Sequence, residues 1–146
     1  MEFQPVEVLM TIDTHELAWA AGFYDGEGTM GSHSPTERSK CGRKKYPRLG
    51  MSIHQVDKRP LKRFQAAIGG LGGIGGPYHH GTSKPIHQWT TQNYEHAQAA
   101  IAMLWKYLSE PKREQAMLAM REVSRTNQIP RIGRWAKCRS YRRVVA

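Results

Sequence analysis

Ala20-Ala21-Gly22-Phe23-Tyr24-Asp25-Gly26-Glu27-Gly28 is the stretch on which the reading of this chain turns. It closes the apolar segment Leu17-Ala18-Trp19-Ala20-Ala21-Gly22-Phe23-Tyr24 and ends in two acids set among glycines. The segment predicts a helix over residues 14–25, with Asp13 as N-cap and Glu16 three positions on, the spacing of a capping box. A helix that is apolar nearly all round is buried on more than one side. Ala18 and Gly22 lie four apart on one helix face, and both are small, which lets a second helix approach closely. Asp25 and Glu27 fall at the C-terminal end, where partial negative charge and unpaired carbonyls gather. Acids there are unfavourable unless a cation offsets them. Carboxylate and backbone carbonyl oxygens are both ligands for magnesium. In isolation, Asp-Gly-Glu-Gly reads more simply as a turn with solvent-facing acids.

Working outward, the pattern turns to strands. Residues 28–33 form a short one, and a basic, polar connection follows over 34–45. Across 46–56 the alternation is clear: Leu49, Met51 and Ile53 share one phase, Arg48, Ser52 and His54 the other. Pro60 opens a helix carrying Leu61, Phe64, Ile68 and Leu71. Two weaker strands over 76–80 and 86–91 read as a hairpin. A helix over 93–108 carries Ala97, Ile101, Leu104, Trp105 and Leu108 on one stripe. Ser109 is placed to cap a last helix reaching residue 123, with Pro111 in its first turn. This order defines an α+β domain, with helices on one face of an antiparallel four-stranded sheet and a polar face left open. It occupies residues 1–125, and residues 126–146 form a basic C-terminal tail.

The chain has 146 residues, 39% of them apolar, enough for one folded domain rather than a disordered chain. Lysine and arginine number 22 against 12 acids, a net charge of +10. Nucleic acid is the partner this excess favours, over a generally basic or ribosomal protein. Two cysteines, Cys41 and Cys138, form neither a disulfide framework nor a metal-ligand spacing. No apolar run approaches the ~20 residues that span a bilayer, and the N-terminus does not read as a signal peptide.

With those surroundings, the opening stretch resembles, in register, the signature of the LAGLIDADG homing endonucleases. Ala21 and Gly22 match its alanine and first glycine, Phe23 and Tyr24 its two apolar places, Asp25 and Glu27 its acids, and Gly28 its closing glycine. The departures are Ala20 for leucine, Gly26 for alanine and Glu27 for aspartate. Over roughly residues 13–123 the chain is similar to the single-motif, homodimeric members. The resemblance implies an αββαββα fold and a magnesium-dependent hydrolase that makes a double-strand break in long, roughly palindromic DNA. It implies an intracellular location, wherever the target DNA lies, and a role in intron or intein mobility. Glu27 then binds the metal (or another divalent cation) with the Gly26 backbone carbonyl. Asp25 is structural and joins Ala18, Ala21 and Gly22 at the dimer interface. Gln55 contacts the attacking water's network, Lys112 supports charge or water activation, and Arg59 or Lys58 sits near the phosphate. Two of these have support of their own. Gln55 shares the core-facing phase, so it needs a partner or lies past the core's edge. Lys112 opens a helix, where anions are favoured.

The outward strand phase supplies Tyr46, Arg48, Ser52 and His54 as DNA contacts, with Arg43, Lys44, Lys45, Tyr78, His80, Lys84 and Gln88 beside them. A twisted antiparallel sheet can follow the major groove and present such side chains to base edges. The glycine run over 69–76 lacks the Gly-Lys-Ser/Thr ending of a phosphate loop and is read as a helix end. The seven histidines lack zinc-site spacing. Trp89 and Trp105 read as core. Two alternatives stay open: a DNA-binding protein or RNA maturase on the same scaffold with cleavage lost, and an unrelated basic RNA-binding protein.

Overall fold

The computed structural model describes residues 12–33 and 48–126. Its elements are α1 (Thr14–Glu27), β1 (Gly28–His33), β2 (Arg48–Gln55), α2 (Lys58–Ala67), β3 (Gly73–Tyr78), β4 (Ile86–Thr91), α3 (Tyr94–Leu104) and α4 (Glu110–Thr126). The strands form one antiparallel sheet in the order β1-β2-β4-β3. The alternation in β2 is realised: Leu49, Met51 and Ile53 are buried, while Arg48 and His54 are exposed. Trp89 of β4 and Met30 of β1 join them on the covered face. Leu17, Tyr24, Leu61, Phe64, Ala97, Ile101, Leu104 and Val123 of the helices complete that core. The sheet therefore has helices on one face and polar side chains on the other, as the strand phases predict.

Asp13 caps α1, its Oδ1 accepting from the His15 and Glu16 amides at 2.9 and 3.2 Å. The return half of the expected capping box is not made. The Glu16 carboxylate instead accepts from Arg63 Nε and Nη2 at 2.9 and 2.7 Å, tying α1 to α2. A charged fork gives two parallel bonds where a backbone amide gives one. The same guanidinium lies 3.9 Å from the Trp19 ring centroid, and Trp19 stacks on Phe23 at 5.2 Å.

Several element bounds shift from the sequence expectation. The first helix reaches Glu27, two residues further than expected, so both acids belong to its last turn. The third helix ends at Leu104, although Leu108 is still buried. β3 begins at Gly73 rather than at residue 76, pairing Gly73 with Thr90. Glycine's poor strand preference hid that start. α2 stops at Ala67, short of the Ile68 and Leu71 expected on it, and the glycines that follow keep it from continuing: Gly69, Gly70 and Gly72 all have positive φ, of 73°, 82° and 76°. At Gly72 the close approach matters too, because a Cβ would lie 2.7 Å from the Trp89 indole nitrogen. That nitrogen donates to the Leu71 carbonyl at 2.9 Å, so the buried indole is satisfied.

Among the described residues β1 is an edge of the sheet, and α4 packs against it. Lys112 Nζ donates to the Gly28 carbonyl, Gln115 Nε2 to the Met30 carbonyl at 3.0 Å, and Ser32 Oγ to Glu122. Residues 28, 30 and 32 alternate along the strand, and 112, 115 and 122 share a helix face. The Gly28 and Met30 carbonyls are thus closed off by side chains, which blunts pairing with another strand there.

Candidate active site and nucleic-acid interface

The last turn of α1 delivers its two acids to different surroundings. Asp25 turns into the chain. Its carboxylate accepts from the Ser109 amide at 3.0 and 3.2 Å and from the Ser109 hydroxyl at 2.9 Å. Ser109 precedes α4, and its carbonyl takes the helix's first bond, from the Arg113 amide at 3.0 Å. The Ser109 hydroxyl, expected to cap α4 as an acceptor, is seen donating to Asp25. Arg113 completes this junction by donating to the Trp105 and Lys106 carbonyls at 2.9 and 3.0 Å. Asp25→Ala should therefore lower stability by about 1.5–3 kcal/mol, the range for hydrogen bonds to a charged group. Chemical denaturation measures that loss.

Glu27 is exposed, and among the described residues no hydrogen bond or ion pair engages its carboxylate. Gly26 beside it is exposed and belongs to the last turn, whose carbonyls lack helical partners. Gly28 opens β1 opposite Ile53, and Gln55 lies two residues further along β2, opposite His87 of β4. The α1 terminus, Gln55 and His87 therefore gather at one end of the sheet. His87 Nδ1 lies 3.1 Å from the Val56 carbonyl, so that nitrogen carries the proton. Lys112 reaches the same end from α4. Its ammonium holds the Gly28 carbonyl and sits 5.5 Å from the centroid of the Tyr24 ring. Tyr24 is fully buried and donates to the Thr29 carbonyl, and burial pushes its phenol well above the usual range.

Arg59 is bound locally. Asp57 caps α2 by accepting from the Arg59 amide at 2.9 Å, and also accepts from Arg59 Nε at 2.9 and 3.0 Å. The side-chain bonds from Arg59, then the backbone bond, hold the Asp57 carboxyl down at about 2. A depressed folded pKa places the cap's contribution above the ordinary carboxylate range, and it is lost as pH falls through about 2. An NMR titration of Asp57 should find its midpoint there, and Arg59→Ala should raise it.

On the open sheet face, Arg48 and His54 are exposed, Gln88 is half-buried and Tyr78 is 46% exposed. His80 and Lys84 are exposed between β3 and β4. Ser52 is half-buried, and its hydroxyl pairs with Thr29 Oγ1 at 2.9 Å. Arg43, Lys44, Lys45 and Tyr46 lie outside the described residues, as do residues 127–146. On α1, Ala18 and Gly22 are exposed. Ala21, expected beside them, is 0% exposed and packs in the chain's own core. It sits three residues from both Ala18 and Tyr24, and α1 turns it to the Tyr24 side.

Sequence reading missed Ser109 as the partner of Asp25, Gln115 as a partner of β1, and Thr29 and Thr90 on the open face. The last two were accessible from strand phase, since Thr29 alternates with Gly28 and Met30, and Thr90 with Trp89 and Thr91. The first two are contacts across 84 and 85 residues, which no local pattern signals.

No protein-family model matches the sequence. No curated protein matches it either. Solved structures do match in fold. The homing endonuclease I-CvuI, solved with a DNA target, aligns over 80% of this chain and 72% of its own at 21% identity, with a TM-score of 0.63. The LAGLIDADG homing endonuclease I-GzeII, also solved with its DNA target, aligns over 76% of this chain but 35% of its own, at 20% identity and a TM-score of 0.57. The archaeal intron-encoded homing endonuclease I-Vdi141I, complexed with DNA, aligns over 70% of this chain and 64% of its own, at 20% identity and a TM-score of 0.55. The αββαββαα arrangement is thus the LAGLIDADG homing endonuclease fold. No helix among the described residues is long and apolar enough to cross a membrane.

Proposed function

We propose that this protein is a site-specific DNA endonuclease that cuts both strands of a long, roughly palindromic target as a homodimer, using a divalent cation. The observation that carries this reading is the division of labour between the two acids. Asp25 is consumed by Ser109, while Glu27 stands uncommitted at the end of a helix that is buried on one face. The net charge of +10, the polar sheet face and the DNA complexes of the similar folds support a nucleic-acid partner.

The donor set fits half of a magnesium site. Glu27 and the Gly26 carbonyl are hard oxygen ligands at an electronegative helix end. Among the described residues there is no cluster of three His, Cys, Asp or Glu side chains. Magnesium is commonly held by one or two carboxylates with phosphate and water completing the shell, so a second chain's Glu27 and the DNA would finish this one. When bound, the cation would acidify water and neutralise charge at the scissile phosphate. Within the chain, Glu27 would hold the cation with the Gly26 carbonyl, and Lys112 donates to the carbonyl of Gly28, the next residue along from Glu27. Gln55 orders water at the sheet end, and Arg59, positioned by Asp57, offsets phosphate charge. The exposed Ala18 and Gly22 give α1 a small-residue face for its counterpart in the dimer.

A duplex recovered by binding selection is the substrate for the test. Incubated with magnesium, it should be cut on both strands by a complex holding two chains. Affinity should fall steeply with salt, log K dropping by about 0.9 per phosphate contact per log unit. Tight binding without cutting would favour the DNA-binding or RNA-maturase reading. One chain per duplex would remove the shared site.

A further inference from the structure

The open sheet face is not uniform. Its residues fall into cross-strand rows that the register defines. One row pairs His54 with Gln88 and Gln88 with Gly75. Gly75 supplies no side chain of its own, but Tyr78 fills the place. β3 gains one residue between Gly75, opposite Gln88, and Tyr78, opposite Ile86. Side chains alternate with period two, so this bulge turns Tyr78 onto the open face with Gln88. A Cβ added at Gly75 would land on the Tyr78 hydroxyl, which shows where the phenol lies. The row therefore presents an imidazole, a carboxamide and a phenol hydroxyl. Among the described residues, none of the three side chains has a hydrogen-bond partner.

The next row is built differently. It pairs Thr29 with Ser52, Ser52 with Thr90 and Thr90 with Gly73. Every side chain in it is short, and each hydroxyl already makes one bond within the sheet. Thr29 Oγ1 and Ser52 Oγ bond each other at 2.9 Å, and Thr90 Oγ1 donates to the Met51 carbonyl at 3.2 Å. Base reading needs free donors and acceptors that reach a base edge. The hydroxyls of this row sit on short side chains, and the Thr90 proton is given to the backbone, so the row reaches less far than its neighbour.

We infer that sequence reading on this part of the face is concentrated in the His54–Gln88–Tyr78 row, and that the adjoining Thr29–Ser52–Thr90 row is mute. The inference rests on the reading of the chain as a DNA-binding protein. Adjacent rows are two residues apart, roughly 7 Å, or about two base-pair steps. Each half-site should then contain a strongly specified block next to a tolerant one of about two base pairs.

Selection from a random duplex library by the full-length protein, followed by sequencing, tests this. The wild-type pool should show the specified block beside the tolerant one. Gln88→Glu should change the preferred base within the block by roughly tenfold, because a carboxylate accepts from cytosine where a carboxamide suits adenine. A new preference is not a symptom of misfolding. Thr90→Val should leave the profile, and affinity within about twofold, unchanged, since its hydroxyl does no reading. An altered pool from Thr90→Val, an unaltered one from Gln88→Glu, or even information across both blocks would overturn the inference while leaving DNA binding standing. A protein that selects no duplex at all would overturn the DNA-binding reading and the inference together.

Discussion

Glu27→Gln is expected to abolish strand cleavage while leaving duplex binding intact or slightly tighter. The exchange keeps the size of the side chain and removes its charge. Glu27 is exposed and makes no contact among the described residues that folding depends on, so stability should hardly change. A cation's contribution at a phosphoryl centre is several kcal/mol, so losing its one charged ligand in each chain should slow cutting on the order of a thousandfold. Affinity should move the other way, if at all, because an acid facing phosphate opposes binding. The paired control is Asp25→Asn. It keeps an oxygen for Ser109 but weakens the charged bonds, so its main effect should be on melting. Single-turnover cleavage and gel-shift affinity, measured on the same selected duplex, separate the two. If Glu27→Gln cuts as fast as the wild type, the metal ligand lies elsewhere. If Asp25→Asn loses cutting without loss of stability, the roles assigned to the acids are reversed.

How far this division could be read in advance depends on the range of the interactions. α1 was legible because its cap, apolar body and terminal acids are consecutive, and β2 because alternation is a local property. Asn93 as the start of α3 was legible for the same reason; its Oδ1 accepts from the Glu95 and His96 amides at 2.9 and 3.3 Å. β3 was half-legible. Its glycines signalled a turn, and only pairing with β4 makes Gly73, Ile74 and Gly75 a strand. The site divides in the same way. Strand phase placed Gln55 beyond the buried Leu49, Met51 and Ile53, where β2 ends beside α1. Nothing local could show that Asp25 has Ser109 or that Lys112 reaches Gly28. Those are competitions among donors for a limited set of acceptors, and only tertiary geometry decides them. The face of α1 illustrates the point: spacing grouped Ala21 with Ala18 and Gly22, but packing against Tyr24 and the sheet drew Ala21 inward.

The glycines of the same stretch should respond to alanine in opposite directions. At Gly28 the backbone is ordinary extended chain, with φ −84° and ψ 146°, so conformation does not demand glycine there. Space does: a Cβ would stand 2.5 Å from Tyr24 Cε2 and 2.6 Å from Cγ. Those are ring atoms of a fully buried side chain, stacked on Phe64 at 5.9 Å and bonded through its hydroxyl to Thr29. The ring cannot yield without disturbing the Phe64–Trp89 contact at 4.8 Å behind it. Nor can the strand move away freely, because Lys112 grips the Gly28 carbonyl. Gly28→Ala should therefore cost about 3 kcal/mol or more, at the upper end of overpacking effects, and lower the melting temperature by roughly 10 °C. Gly22 lies within α1, and a Cβ there meets nothing within 4 Å. Mid-helix, alanine is favoured over glycine by about 0.5–1 kcal/mol, so Gly22→Ala should raise the stability of the single chain. If a second α1 packs against Ala18 and Gly22, the same methyl group should weaken the dimer. Thermal melts of both variants, with sedimentation of the Gly22→Ala protein, distinguish these effects. A Gly28→Ala protein that melts with the wild type would mean that Tyr24 does not fill the space beneath β1, and with it would go the placement of Lys112 over Tyr24 and against the Gly28 carbonyl.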